Sequence, residues 1–103
     1  MPKYPMTDVI ASREYVLAEM SERVPISIAI GRPAPLPEGE GGWYCPFRIT
    51  GAGDVQRTFA VGEDSVQALL LALSAVHAIL GHRARDGNLM FLGGASGSGI
   101  TVS

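Results

Sequence analysis

The sequence predicts a two-layer α+β domain, in which an antiparallel meander sheet of about four strands packs on one long helix. In residues 24–31 and 43–50 every second residue is apolar, so that one face of each strand is apolar, as in half-buried strands. Residues 65–80 carry apolar side chains at helical spacing. The 103 residues suffice for one hydrophobic core, which we place in residues 1–92, and the Gly- and Ser-rich residues 93–103 are expected to form a flexible tail.

The first element, residues 8–20, fits a helix and a strand almost equally well. β-Branched and aromatic residues such as Val9 and Tyr15 favour a strand. A short polar break at residues 21–23 separates this segment from the next apolar run. We therefore predict a strand that forms a β-hairpin with the strand that follows it.

The second strand, residues 24–31, has one apolar face. That face comprises Val24, Ile26, Ile28 and Ile30. Prolines and glycines then dominate residues 33–42. Because proline removes N–H donors and glycine weakens order, this segment is predicted to be the longest loop and to leave the sheet.

The third strand, residues 43–50, places Trp43, Cys45, Phe47 and Ile49 on the predicted core face. Pro46 lies within it and suggests an edge position, or a site where the missing N–H is not needed. A turn at residues 51–54 then leads into a strand over residues 55–62. In this strand Val55, Phe59 and Val61 share a face with Arg57, which is a misfit if that face is the core.

Asp64 and Gln67 have the spacing of a capping box, so the helix is expected to start there. Gly81 fits a left-handed C-terminal cap, so the helix is expected to end near Gly81 or to fray towards Arg85. Residues 89–92 are expected to add a short strand or to cover one end of the core. The predicted core comprises Trp43, Phe47, Ile49, Phe59, Val61, Leu69, Leu70 and Leu73.

Composition makes several functional classes poor candidates. A net charge of −2 predicts no attraction to nucleic acid, and the basic residues His82, Arg83 and Arg85 suit a helix terminus. One cysteine allows no intrachain disulfide, which favours the reducing cytoplasm. The first residues lack an export signal, and the apolar stretch 68–80 is shorter than the roughly 20 residues of a membrane span. We expect a cytoplasmic protein without a membrane partner.

Catalytic and metal chemistry have no clear pattern. Cys45 sits on the apolar side of its strand, so packing explains it better than nucleophilic catalysis with His77 does. His77 and His82 are five positions apart, so they do not share a helix face as metal ligands. Glu63 and Asp64 precede a helix, where capping accounts for them. We predict no catalytic residue, no metal and no cofactor.

Residues 43–51 read W-Y-C-P-F-R-I-T-G, and residues 62–69 read G-E-D-S-V-Q-A-L. These segments resemble a family of short uncharacterised bacterial proteins, a domain of unknown function, with a W-x-C-x-aromatic-x-I-x-G strand and a G-x-D-S-x-Q-A-L helix start. The resemblance covers Val9 to Leu80 and implies the same domain, with no activity to carry over. Pro46 and the glycine-rich tail depart from the family pattern.

The helix has a second apolar side that one small sheet cannot cover. The N-terminal element or residues 89–92 could cover it within the chain, and a second copy could cover it between chains. We therefore expect a non-enzymatic interaction module, with a protein partner or a second copy bound through the helix or a sheet edge. The alternative is a small-molecule-binding domain or enzyme, with a pocket between the 33–42 loop and the helix N-terminus. Candidate ligand or partner residues are Arg48, Arg57, Asp64, Ser65, Gln67 and His77.

Overall fold

The structure, a computed structural model, describes residues 4–19, 22–37, 41–51, 54–83 and 88–91. In chain order the elements are β1 (Val9–Glu19), β2 (Glu22–Gly31), β3 (Ala34–Pro35), β4 (Trp43–Gly51), β5 (Asp54–Gly62), α1 (Ser65–Arg83) and β6 (Asn88–Phe91). The α+β class and the antiparallel meander of β1, β2, β4 and β5 are confirmed. The ambiguous first element is the predicted strand, and it forms a hairpin with β2.

The sheet runs in the spatial order β5, β4, β2, β1, β6, and β3 lies beside the first residues of β4. The segment predicted as a strand or a cover is the strand β6, which pairs with β1. β5 and β6 lie at opposite edges of the sheet. Helix α1 comes between them in the chain, so it returns the chain across the sheet to the side of β1. The predicted tail, residues 93–103, lies outside the described residues.

The core lies between α1 and one face of the sheet. It comprises Tyr15, Leu17, Ile26, Ile28, Ile30, Cys45, Phe47 and Ile49 from the strands and Ala68, Ala72, Val76 and Leu80 from the helix. Phe47 and Ile49 are fully buried as predicted, and Trp43, Leu69 and Leu73 pack at the margin. Each large apolar side chain buried in this way contributes roughly 1.5–3 kcal/mol.

The predicted core face of β5 is wrong. Phe59 and Val61 are 40% and 44% exposed, because they lie on the outer face of the sheet, away from α1. Gly62 lies on the helix side instead, where an added Cβ would be 2.5 Å from the backbone nitrogen of Ala68. This orientation also accounts for Arg57, which is exposed on the outer face and is no misfit there.

Pro46 does not lie on an edge strand, since β4 is flanked on both sides. β5 pairs along all of β4, β2 pairs from Phe47 onwards, and β3 pairs at Trp43 and Tyr44. On this side of β4, the partner strand changes from β3 to β2 at Pro46, which pairs with neither of them. Its missing N–H therefore interrupts neither of these two ladders. Because Ala34–Pro35 form β3, the prediction that residues 33–42 leave the sheet entirely is wrong.

The segment before β1 packs on the outer face of the sheet. The Tyr4 ring lies 5.1 Å from the Tyr44 ring and 4.4 Å, edge to face, from the Phe59 ring. The Tyr44 hydroxyl donates a hydrogen bond to the Pro5 carbonyl at 3.2 Å. Thr7 Oγ1 donates to the Arg32 carbonyl at 2.6 Å. These contacts cover one end of the outer face, which alternation alone would leave to solvent.

Helix α1 begins at Ser65, as predicted. Asp64 Oδ1 accepts the backbone N–H of Gln67 at 2.7 Å, and Gln67 Oε1 accepts the backbone N–H of Glu63 at 2.6 Å. In a standard capping box, the second hydrogen bond goes to the backbone N–H of the cap residue, which is Asp64 here. In this protein it goes to the N–H of Glu63, one residue earlier. The cap satisfies early N–H donors, as the spacing predicts.

The left-handed cap predicted at Gly81 is wrong, although the helix ends near this residue, as predicted. The helix continues through Gly81 to Arg83, and the positive φ values among described glycines belong to Gly41 and Gly42. Glycine inside a helix costs only about 1 kcal/mol relative to alanine, which the flanking helix formers offset.

Candidate functional site

Helix α1 turns small side chains inward and several large ones outward. Ala68, Ala72, Val76 and Leu80 are fully buried against the sheet. By contrast, Val66, Leu70 and Leu71 are 64%, 42% and 45% exposed. Leu70 was predicted to be in the core, and that prediction is wrong, because the sheet accommodates the small-residue side of the helix. Large apolar groups in contact with water on one side of a helix indicate a binding surface.

The outward residues follow the spacing of a helix-packing stripe. Val66, Leu70, Leu73 and His77 stand at positions i, i+4, i+7 and i+11. Residues at these intervals lie on one side of an α-helix and form the seam of packed helix pairs. We call these four residues the outer stripe. Leu73 is half-buried, whereas His77 is exposed at the far end.

Helix α1 carries no Asp, Glu, Lys or Arg between Ser65 and His82. Within the described residues, this segment is long and apolar enough to cross a membrane by length and composition alone, a test that the core helices of many soluble proteins also pass. Only 22% of it is buried in the fold, so much of this apolar surface lacks cover from the described chain.

The helix N-terminus borders the region predicted as an alternative pocket. A shallow depression of about 440 Å³ is lined there by Gly41, Gly42, Val61, Gly62, Glu63 and Gln67. Most of its wall is backbone and apolar surface, and Gln67 is already engaged in the cap. Asp64 and Ser65 do not line it. The depression therefore offers few polar side chains for a ligand.

Arg48 and Arg57 do not converge on that depression. They lie opposite each other on β4 and β5, on the outer face of the sheet. The helix packs on the other face, with Cys45 and Phe47. A pocket at the helix N-terminus would need one of these arginines to turn towards it, but strand alternation places both on the opposite side of the sheet.

Cys45 and His77 do not form a catalytic pair. Cys45 is fully buried, and its thiol donates a hydrogen bond to the Gly31 carbonyl at 3.3 Å. His77 is exposed on the outer stripe. Among the described residues, no group of three or more His, Cys, Asp or Glu side chains has metal-binding geometry.

Burial should make the Cys45 thiol unreactive. It raises the pKa of this thiol from 9.0 to about 11, so the nucleophilic thiolate is scarce at pH 8. We expect alkylation by iodoacetamide at pH 8 to be at least about tenfold slower in the folded protein than in urea. The pKa of this thiol is higher in the folded state than in the unfolded state. Its contribution to the free energy of unfolding should therefore be fully present below pH 9 and should be lost as the pH rises from 9 towards 11. Equal alkylation rates in the folded and unfolded states would contradict the burial of Cys45.

The sequence predicted that one side of α1 has no cover from the sheet, but it did not predict which residues form that side. Helical periodicity shows that two sides are apolar, and the direction of the sheet decides which of them is outward. A second group of residues was missed entirely: Ser12, Ser27 and Thr50 come together on the outer face beside Arg48. Their alternation parity on β1, β2 and β4 could have indicated a shared face, but only the strand register aligns them.

Comparison with known proteins gives a match to a family model described as a domain of unknown function (DUF6968), over residues 11–102. The match extends past Leu80 to residue 102, so the glycine-rich segment falls within the family's length. No curated protein and no solved structure matches the chain.

Proposed function

We propose, from the premise that this chain belongs to the DUF6968 family, that it is a non-enzymatic interaction module whose partner is a second copy of itself. The observation that carries the proposal is the outward orientation of Val66, Leu70 and Leu71 on a helix whose small residues face the sheet. The free energy of association would come from the apolar surface that a partner removes from water.

A second copy suits this surface because the helix carries no Asp, Glu, Lys or Arg before its last residue, Arg83. A twofold interface brings the same patch of each subunit together, so any unpaired charge on it meets its own like charge. Between Ser65 and His82 there is no Asp, Glu, Lys or Arg to produce such repulsion. The outer stripe can therefore pack on itself, with Val66 at one end facing His77 of an antiparallel copy.

The test is the solution mass, measured by light scattering over a concentration series for the wild-type chain and for Leu70→Glu. We expect the wild type to be a dimer and Leu70→Glu to be a monomer, because the substitution buries an uncompensated carboxylate in each half of the interface. Circular dichroism should show that the variant remains folded, since Leu70 is outside the core.

Val55→Glu is the matched control. Val55 is exposed to a similar extent as Leu70 but lies on the outer face of β5. It should remain a dimer. A monomeric wild type at every concentration would refute self-association, and a dimeric Leu70→Glu would move the interface away from the outer stripe.

We also propose the cytoplasm as the compartment of this protein. A single buried cysteine, which has no intrachain partner, suits a reducing environment. The alternative function, a small-molecule site at the helix N-terminus, finds less support, because the depression there lacks converging polar side chains.

A further inference from the structure

The outer face of the sheet carries an ordered polar grid at its centre. In one row across the strands, Ser12 lies opposite Ala29, Ala29 opposite Arg48, and Arg48 opposite Arg57. In the next row, Glu14 lies opposite Ser27, and Ser27 opposite Thr50. Directly opposed residues of an antiparallel sheet project from the same face, so these side chains are neighbours.

A concave site of about 180 Å³ lies within this grid. It is lined by Ser12, Arg13, Glu14, Ser27, Ile28, Ala29, Arg48 and Thr50. Ala29 is the smallest side chain of its row and is only 7% exposed, so it forms the floor between Ser12 and Arg48. Hydroxyl groups and a guanidinium surround that floor, in contrast to the apolar wall of the depression at the helix N-terminus.

Two arginines face each other at one side of the grid. Arg48 and Arg57 oppose each other directly, an arrangement of like charges that destabilises a sheet. Within the described part of the chain, neither guanidinium forms an ion pair or a side-chain hydrogen bond. An anion bound beside Arg48 would offset this repulsion and accept hydrogen bonds from the guanidinium of this half-buried residue.

We propose that this site binds a small phosphate group, either inorganic phosphate or a phosphate monoester. The guanidinium of Arg48 matches two phosphate oxygens, and Arg57 adds positive charge from the neighbouring strand. The hydroxyls of Ser12, Ser27 and Thr50 can each donate one further hydrogen bond. The small volume suits a phosphate group and excludes a large ligand.

Glu14 would allow the site to distinguish phosphate from sulfate. Glu14 lines the same depression, and an ionised carboxylate can only accept hydrogen bonds. Inorganic phosphate retains at least one proton near neutral pH and can donate that hydrogen bond. A phosphate monoester can do so only as its monoanion, and sulfate has no proton to donate. The site should therefore prefer phosphate to sulfate, although both anions have a similar shape and charge.

The test is a titration of the ¹⁵N-labelled protein with inorganic phosphate at constant ionic strength, followed by amide chemical shifts. We expect saturable shifts at Ser12, Ser27, Ala29 and Thr50, and a dissociation constant raised at least about tenfold in Arg48→Gln, equivalent to about 1.4 kcal/mol. Because this substitution also removes like-charge repulsion, the variant should unfold at a temperature no lower than the wild type.

Arg23→Gln is the charge-matched control, since Arg23 is an exposed arginine on β2 that lies outside the site. It should leave the dissociation constant unchanged within about twofold. Sulfate should bind more weakly than phosphate, and Glu14→Gln should reduce that difference. A parallel titration with glycerol phosphate separates the two sources: tighter binding assigns the site to an ester, and weaker binding assigns it to inorganic phosphate. Linear shifts without saturation, or equal binding by Arg48→Gln, would overturn the proposal.

Discussion

Phe47→Ala is expected to lower the free energy of unfolding by about 3–5 kcal/mol. The ring is 1% exposed at the centre of β4, in one cluster with Ile30, Ile49 and Val76. Truncation removes the buried surface of the ring and leaves a cavity between the sheet and α1. This cavity cannot close easily, because β4 is held by backbone hydrogen bonds to β2 and β5. Urea denaturation followed by circular dichroism would measure the change.

Phe59→Ala is the matched control, because it makes the same chemical change one strand away. Phe59 lies on the outer face and contacts the Tyr4 ring, so its removal should cost about 1 kcal/mol or less. A loss as large as that of Phe47→Ala would mean that β5 turns its other face to the helix, which would contradict the register of β4 with β5.

Gly62→Ala should destabilise the fold by at least about 1–3 kcal/mol, the usual cost of overpacking. The added methyl would stand 2.5 Å from the Ala68 nitrogen and 2.8 Å from the Gln67 carbonyl carbon, both backbone atoms that no rotamer change can move away. The first turn of α1 would have to separate from β5, and the cap at Asp64 would shift with it.

The opposite sign is expected for Gly81→Ala. Gly81 is inside the helix, and apart from its own helix backbone and chain neighbours no described atom lies within 4 Å of an added methyl. Alanine should therefore stabilise the protein by about 0.5–1 kcal/mol. Thermal unfolding of both variants would measure the contrast. If Gly62→Ala were as stable as the wild type, β5 and α1 could not join as closely as the structure shows.

The sequence predicts the elements of this fold better than their orientation. Alternation shows that Phe59 and Val61 share a face with Arg57, but it does not say which face the helix covers. That choice depends on the short connection after Gly62, where only a residue without a side chain allows α1 to pack closely. Arg57 was the one indication in the sequence that the chosen face was wrong.

The candidate surfaces were predictable to different degrees. The excess of apolar residues on α1 is visible from periodicity, so an unpartnered side could be expected before Leu70 was known to be exposed. The proposed phosphate site could not be expected, because Ser12, Ala29 and Arg48 come from three different strands. Their alignment depends on the bulge between Val9 and Ala11 and on the exact pairing of β2 with β4.

The pairing of β6 with β1 has a consequence for how the protein is made. Tyr15 pairs with Phe91, a partner 76 positions later in the chain (91 − 15), so the ribosome must synthesise nearly the whole domain before β1 gains its second neighbour. Until then, the growing chain presents one edge of β1 with unsatisfied backbone groups, which favours pairing with strands of other chains. Slow translation between Gly62 and Phe91 should therefore increase misassembly, whereas rapid synthesis of the helix and β6 should suppress it.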